Sequence, residues 1–126
     1  MASELRVDTL KDSSGNNSVG MSYVAGGSAK VWISLTMTTA TNEDSLNVGS
    51  ITDNSAGNFS INASTSFANS DYAVMSGSSY NQASNVDFGE ITNVESTSSY
   101  RHIHRENNAG ADTQYGSFTS AFGDLA

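Results

Sequence analysis

Period-two alternation is the strongest pattern in the chain. From Lys30 onward, Val31, Ile33, Leu35 and Met37 alternate with Lys30, Trp32, Ser34 and Thr36. Successive side chains on a strand point to opposite faces, so this stretch predicts a strand with an inward aliphatic row and Trp32 on the other face. Trp32 is then placed to cover that face against another sheet or a neighbouring subunit. The same period returns at Phe59-Ser60-Ile61-Asn62-Ala63 and at Asp71-Tyr72-Ala73-Val74-Met75, where Tyr72 and Val74 share a side. Leu46-Asn47-Val48 begins a further strand, resumed at Ile51 after a bulge around Gly49-Ser50. Residues 52–58 are dense in turn formers, so 46–63 is predicted as a β-hairpin with a longish loop. Segments 86–94, 99–105 and 114–122 supply three more strands. Regularly spaced short strands with turn clusters between them predict an all-β fold, an antiparallel β-sandwich of jelly-roll-like or Ig-like type over 29–126.

The first 28 residues are patterned differently. Leu5, Val7 and Leu10 are apolar among polar neighbours, and the stretch is too short and too β-branched for a helix. Ser13 to Ser18 is a turn, because Gly15 and the asparagines tolerate positive φ. Gly26-Gly27-Ser28 is a second flexible point. Residues 1–28 are therefore predicted as an extended arm, and Leu5, Val7 and Leu10 of the arm, with Trp32 of the sandwich, are the candidate subunit-interface residues.

Composition narrows the function. The chain has 126 residues, 5 Lys and Arg against 13 Asp and Glu, and a formal net charge of −8. That length fits one domain with a real core. A surface this acidic argues against nucleic acid as a partner, since phosphate contacts need a basic footprint. No segment is apolar for long enough to predict membrane insertion. Met1 to Arg6 lacks the basic flank and apolar run of a secretory signal, which predicts synthesis in a cytoplasm. There is no cysteine, so disulfides, thiolate metal sites and thiol nucleophiles are excluded together. Ser, Thr, Asn and Gly make up nearly half of the chain, and five Phe, five Tyr and one Trp are spread along it, a mixture suited to sheets rather than helices.

Several spaced elements carry a resemblance. Gly27-Ser28-Ala29-Lys30-Val31-Trp32-Ile33, then Leu46-Asn47-Val48-Gly49-Ser50-Ile51-Thr52-Asp53-Asn54, then Asp71-Tyr72-Ala73-Val74, resemble the β-sandwich module of tail-fibre and other virion structural proteins of marine tailed phages. Leu5 to Asn16 is similar to the linker that often precedes that module. The resemblance covers residues 4–80 and only loosely the remainder. It departs in one place: such modules usually carry a proline just before the Asp-x-Tyr strand, and this chain has none. The resemblance implies a non-enzymatic, oligomeric virion component, with a trimer favoured and other virion proteins of capsid or tail as partners. At this length a short fibre-like or knob-like accessory subunit on the virion surface fits better than a whole fibre. A capsid decoration protein, or a module binding a host surface glycan, are the alternatives.

Four constellations are candidates for chemistry. His102 and His104, in Tyr100-Arg101-His102-Ile103-His104-Arg105, lie at i and i+2 and so share one face of a strand, opposite Ile103. Three chains meeting on a threefold axis would bring six imidazoles around one metal ion, an arrangement that the resemblance to phage fibres favours. Flanking Arg101 and Arg105 oppose it, and the alternative is an exposed polar strand face with Glu106 as a local partner. Asp87, Glu90 and Glu95 are the carboxylates a glycosidase would need, although no nucleophile–base–orienter set accompanies them. Asn42-Glu43-Asp44 offers hard oxygen ligands for calcium, with a solvated hairpin tip as the alternative. Tyr23, Tyr80, Tyr100 and Tyr115 are either a sugar-stacking platform or core and interface filling. Asn16, Asn58 and Asn62 fall in Asn-x-Ser sequons, as an Asn- and Ser-rich chain yields by chance.

Overall fold

A computed structural model describes residues 3–78, 88–106, 109–110 and 116–126. An N-terminal hairpin of β1 (Thr9–Lys11) and β2 (Ser18–Gly20) leads into a short helix, α1 (Met21–Gly27). The remaining strands are β3 (Val31–Thr36), β4 (Thr41–Leu46), β5 (Val48–Ser55), β6 (Asn58–Ala63), β7 (Ala73–Ser78), β8 (Phe88–Val94), β9 (Ser99–Glu106), β10 (Ala109–Gly110) and β11 (Gly116–Phe122). They form two sheets. One has the order β4-β3-β11-β7. In the other β9 lies between β8 and β6, β5 flanks β6, and β10 pairs the last residues of β9 beyond the end of β6. Every pairing is antiparallel, and the two sheets pack into the predicted all-β sandwich.

The aliphatic row of β3 builds one wall of the core. Val31, Ile33 and Leu35 are buried, while Trp32, Ser34 and Thr36 alternate on the outer side. Met37 continues the row into a single 3-10 turn, Met37–Thr39. Facing them are Phe59 and Ile61 of β6 and Tyr100 of β9, all fully buried. Each such side chain contributes roughly 1.5–3 kcal/mol by leaving water. Phe67 stacks on Tyr72 at 4.0 Å, and Tyr72 meets Tyr100 edge-on at 6.4 Å, so three rings close one end of the sandwich. The Tyr72 hydroxyl donates to the carbonyls of Ser96 and Ser99, which ties that end to the turn before β9.

Three expectations need correction. Residues 46–63 are not one hairpin: Leu46 ends β4 in one sheet, and Val48 begins β5 in the other. The crossing is made at Asn47, whose φ of 56° is left-handed. Its carboxamide holds the neighbouring loop, with Oδ1 accepting from Thr65 N at 2.7 Å and Nδ2 donating to Thr65 O at 3.1 Å. Asn is one of the few residues that enters this conformation readily, because its short side chain bonds locally. The bulge at Gly49 is present, as a register shift between Val48 and Ser50, but the β5–β6 turn is tight, with Gly57 at φ 65°.

Asn42-Glu43-Asp44 is likewise no hairpin tip. It lies within β4, an edge strand that is polar except at Leu46. The arm is not extended throughout either: Asp12 organises the β1–β2 turn, accepting from Ser14 Oγ, Asn16 N and Asn17 Nδ2, and α1 follows directly. These hydrogen bonds hold the Asp12 carboxyl below the ordinary carboxylate range. Among the described residues, the core draws no side chain from before Val31.

Candidate functional site

The histidines share a face, as their spacing requires, but that face is the interior. Tyr100, His102 and His104 point inward from β9, and both imidazoles are closed to solvent. Opposite them β11 turns in Ser117, Thr119 and Ala121, three small side chains against three large ones. The residues of this seam bond across the sandwich. Tyr100 OH and Thr119 Oγ1 share a hydrogen bond of 2.6 Å, and so do His102 Nε2 and Ser117 Oγ. Burial pushes the Tyr100 phenol up to about 12, against the opposing pull of its bond to Thr119. Burial, and then the charge of Glu95, pushes Tyr72 up to about 12 as well.

This geometry corrects two readings. An exposed polar strand face is ruled out by the burial of both rings. Shared coordination on a threefold axis requires the imidazoles of several copies to meet, and these rings lie inside a single sandwich. Among the described residues no group of three or more His, Asp or Glu converges to hold a metal ion. The hydroxyls of Ser117 and Thr119 were the residues that sequence reasoning missed. Their only sequence signal is the alternation Ser117-Phe118-Thr119-Ser120-Ala121, which keeps small residues at every second position.

Among the described residues the carboxylate, calcium and tyrosine sets do not assemble either. Glu95 is taken up by Arg101, at 2.5 Å, and by Ser60 Oγ, which donates at 3.1 Å. Glu90 lies on β8 in register with His104, and Asp87 is outside the described residues. Glu43 accepts from Thr36 Oγ1, and Asp44 from the backbone N–H of Ser45. Tyr100 is core and Tyr23 is an exposed residue of α1, so they cannot form one platform; Tyr80 and Tyr115 are outside the described residues.

The outer faces of the two sheets differ in kind. On the β5–β6–β9 face the polar groups bond to one another. Asn54 Nδ2 donates to Ser60 Oγ, and Asn62 Nδ2 donates to Ser50 Oγ and Thr52 Oγ1. On the β4-β3-β11-β7 face a single cross-strand row runs Leu46, Trp32, Ser120, Met75. Phe118 follows two residues along β11, and its ring lies over Gly77, where a Cβ would sit 2.4 Å from the ring tip. Met75, Phe118 and Leu46 are 64%, 56% and 48% exposed, and Trp32 is half-buried. These side chains make an exposed apolar patch on that sheet face. Of the arm residues, Leu5 is 80% exposed and Leu10 41%, and Val7 is half-buried.

No family model, curated protein or solved structure matches the chain. Among the described residues no helix is long and apolar enough to cross a membrane.

Proposed function

We propose that this chain is a non-enzymatic structural subunit of a phage particle. It is displayed on the particle surface as a short fibre-like or knob-like accessory subunit and anchored by its N-terminal arm. It is synthesised in the host cytoplasm and assembles as a homo-oligomer, a trimer being favoured. The observation that carries this reading is a sandwich with an exposed apolar patch on one outer face, joined to an arm that, among the described residues, contributes nothing to the core. An exposed apolar patch and an arm outside the core are both features that a subunit built into a larger assembly can use. The sequence elements around Trp32, Ile51 and Tyr72 supply the phage class.

Deletion of residues 1–25 tests the proposal. The truncated chain keeps a cooperative sheet-type melting transition but is lost from gradient-purified particles, while the full chain co-purifies with them at fixed stoichiometry. Normal incorporation of the truncated chain, or absence of the full chain from particles, refutes it.

A further inference from the structure

Both halves of the molecule expose apolar surface that neither half covers for the other. On the sandwich it is the patch of Leu46, Trp32, Met75 and Phe118. On the arm it is the cross-strand pair Leu10 and Val19, both about two-fifths exposed, followed by Tyr23, 76% exposed, and Val24 on α1.

We infer that the arm of one copy seats on the β4-β3-β11-β7 face of a second copy, so that the chain self-associates by arm exchange. Charge selects this occupant over a second sandwich. The arm carries three carboxylates (Glu4, Asp8, Asp12) against two cations (Arg6, Lys11), a net −1, so −7 of the chain's −8 lies on 29–126. Two sandwich faces meeting would bring two strongly like-charged bodies together, whereas an arm near neutrality escapes that repulsion. Asp44, in register with Ser34, rims the patch on the β4 side, and Lys11 adjoins the arm's apolar pair, while Arg6 is ion-paired to Glu4 within the arm.

The linker favours a second copy over the arm's own sheet. Lys30 N donates to Ala121 O, which fixes the start of β3. The Lys30 ammonium folds back onto Ala25 O and the Ser28 hydroxyl, which ties the end of α1 to that same point. Held in this way, the arm leaves its own patch open. Exchanged reciprocally, the arms make a twofold pair; exchanged head to tail, they make a ring where the rotation closes.

The inference concerns the purified chain and needs no particle, so it stands or falls separately from the phage reading. The chain has no cysteine, which lets a single introduced thiol report position. A chain with Val19→Cys is mixed with one carrying Met75→Cys and treated with a short bismaleimide. Preferential linkage between the two different chains is the expected result. Only like-with-like linkage overturns the inference, and so does a link within one chain in the doubly substituted protein. In parallel, Met75→Asp on the face and Leu10→Asp in the arm each weaken association at least tenfold by analytical ultracentrifugation, with the circular dichroism spectrum unchanged. Unaltered association in either variant, or a full chain that stays monomeric, overturns it.

Discussion

The Tyr100–Thr119 pair makes a quantitative prediction about the seam between the sheets. Thr119→Val keeps the shape and removes the hydroxyl, which leaves the phenol of a fully buried tyrosine without the partner it holds at 2.6 Å. An abandoned buried polar group costs about 1–3 kcal/mol, more than the net worth of the bond itself. For a domain of this size that is a fall in melting temperature of roughly 4 °C per kcal/mol. Tyr100→Phe alone costs less, about 1 kcal/mol, because the Thr119 hydroxyl is small. The double variant, with both hydroxyls gone, loses less than the sum of the two single losses. Urea titration of the four proteins at neutral pH measures the cycle. Strict additivity, or a Thr119→Val chain as stable as the parent, would falsify the claim that these hydroxyls are partners.

The same pair fixes the alkaline limb of stability. An unfolded tyrosine ionises near 10, whereas the folded Tyr100 holds its proton up to about 12. Stability from this group is complete below pH 10 and declines between 10 and 12, as the unfolded chain ionises and the folded one does not. Roughly 2–3 kcal/mol is lost over that window.

Two further substitutions probe the backbone. Asn47→Ala removes two hydrogen bonds to Thr65 and places a β-carbon without a polar anchor at positive φ, so a loss of about 2–3 kcal/mol in chemical denaturation is expected. An unchanged midpoint would mean that the sheet crossing does not depend on this residue. Ala40 is also left-handed, at φ 49°, with its half-buried methyl against the core, so Ala40→Gly relieves the backbone at the cost of that contact and raises stability by about 0.5 kcal/mol; a loss instead would show that the contact outweighs the backbone strain.

The parts of the fold that were legible in advance are those where one face is dry and the other wet. β3 shows this best: its buried and half-buried positions alternate without exception from Val31 to Met37. β4 was illegible because Thr41-Asn42-Glu43-Asp44-Ser45-Leu46 is polar on both sides, as an edge strand can be, and only its pairing with β3 makes it a strand. Asn47 hid a change of sheet behind what reads as continuous strand sequence, since a single left-handed residue leaves no break in the hydrophobic pattern. The short helix at 21–27 was missed because its two glycines and lack of an acidic first turn give no start or stop signal.

For the histidines, spacing fixed which residues share a face but not whether that face looks inward. Imidazoles flanked by arginines read as surface. It is the position of β9 between β6 and β8, with Ser117 and Thr119 opposite, that makes an interior place for them. The face around Trp32 was partly legible, Trp32 itself standing out from the alternation. Its companions Met75 and Phe118 come from distant strands and only the sheet order brings them together.

That sheet order also decides how the molecule carries a load. The arm runs directly into β3, which is an interior strand with β4 on one side and β11 on the other. A pull applied through the arm therefore acts along the axis of a strand gripped from both flanks. The hydrogen bonds of both ladders are strained together, in shear. A pull entering through an edge strand such as β7 would instead peel one ladder a bond at a time. If the arm is the point of attachment, as proposed, load enters the sandwich through a strand bonded on both flanks and is shared by two ladders at once.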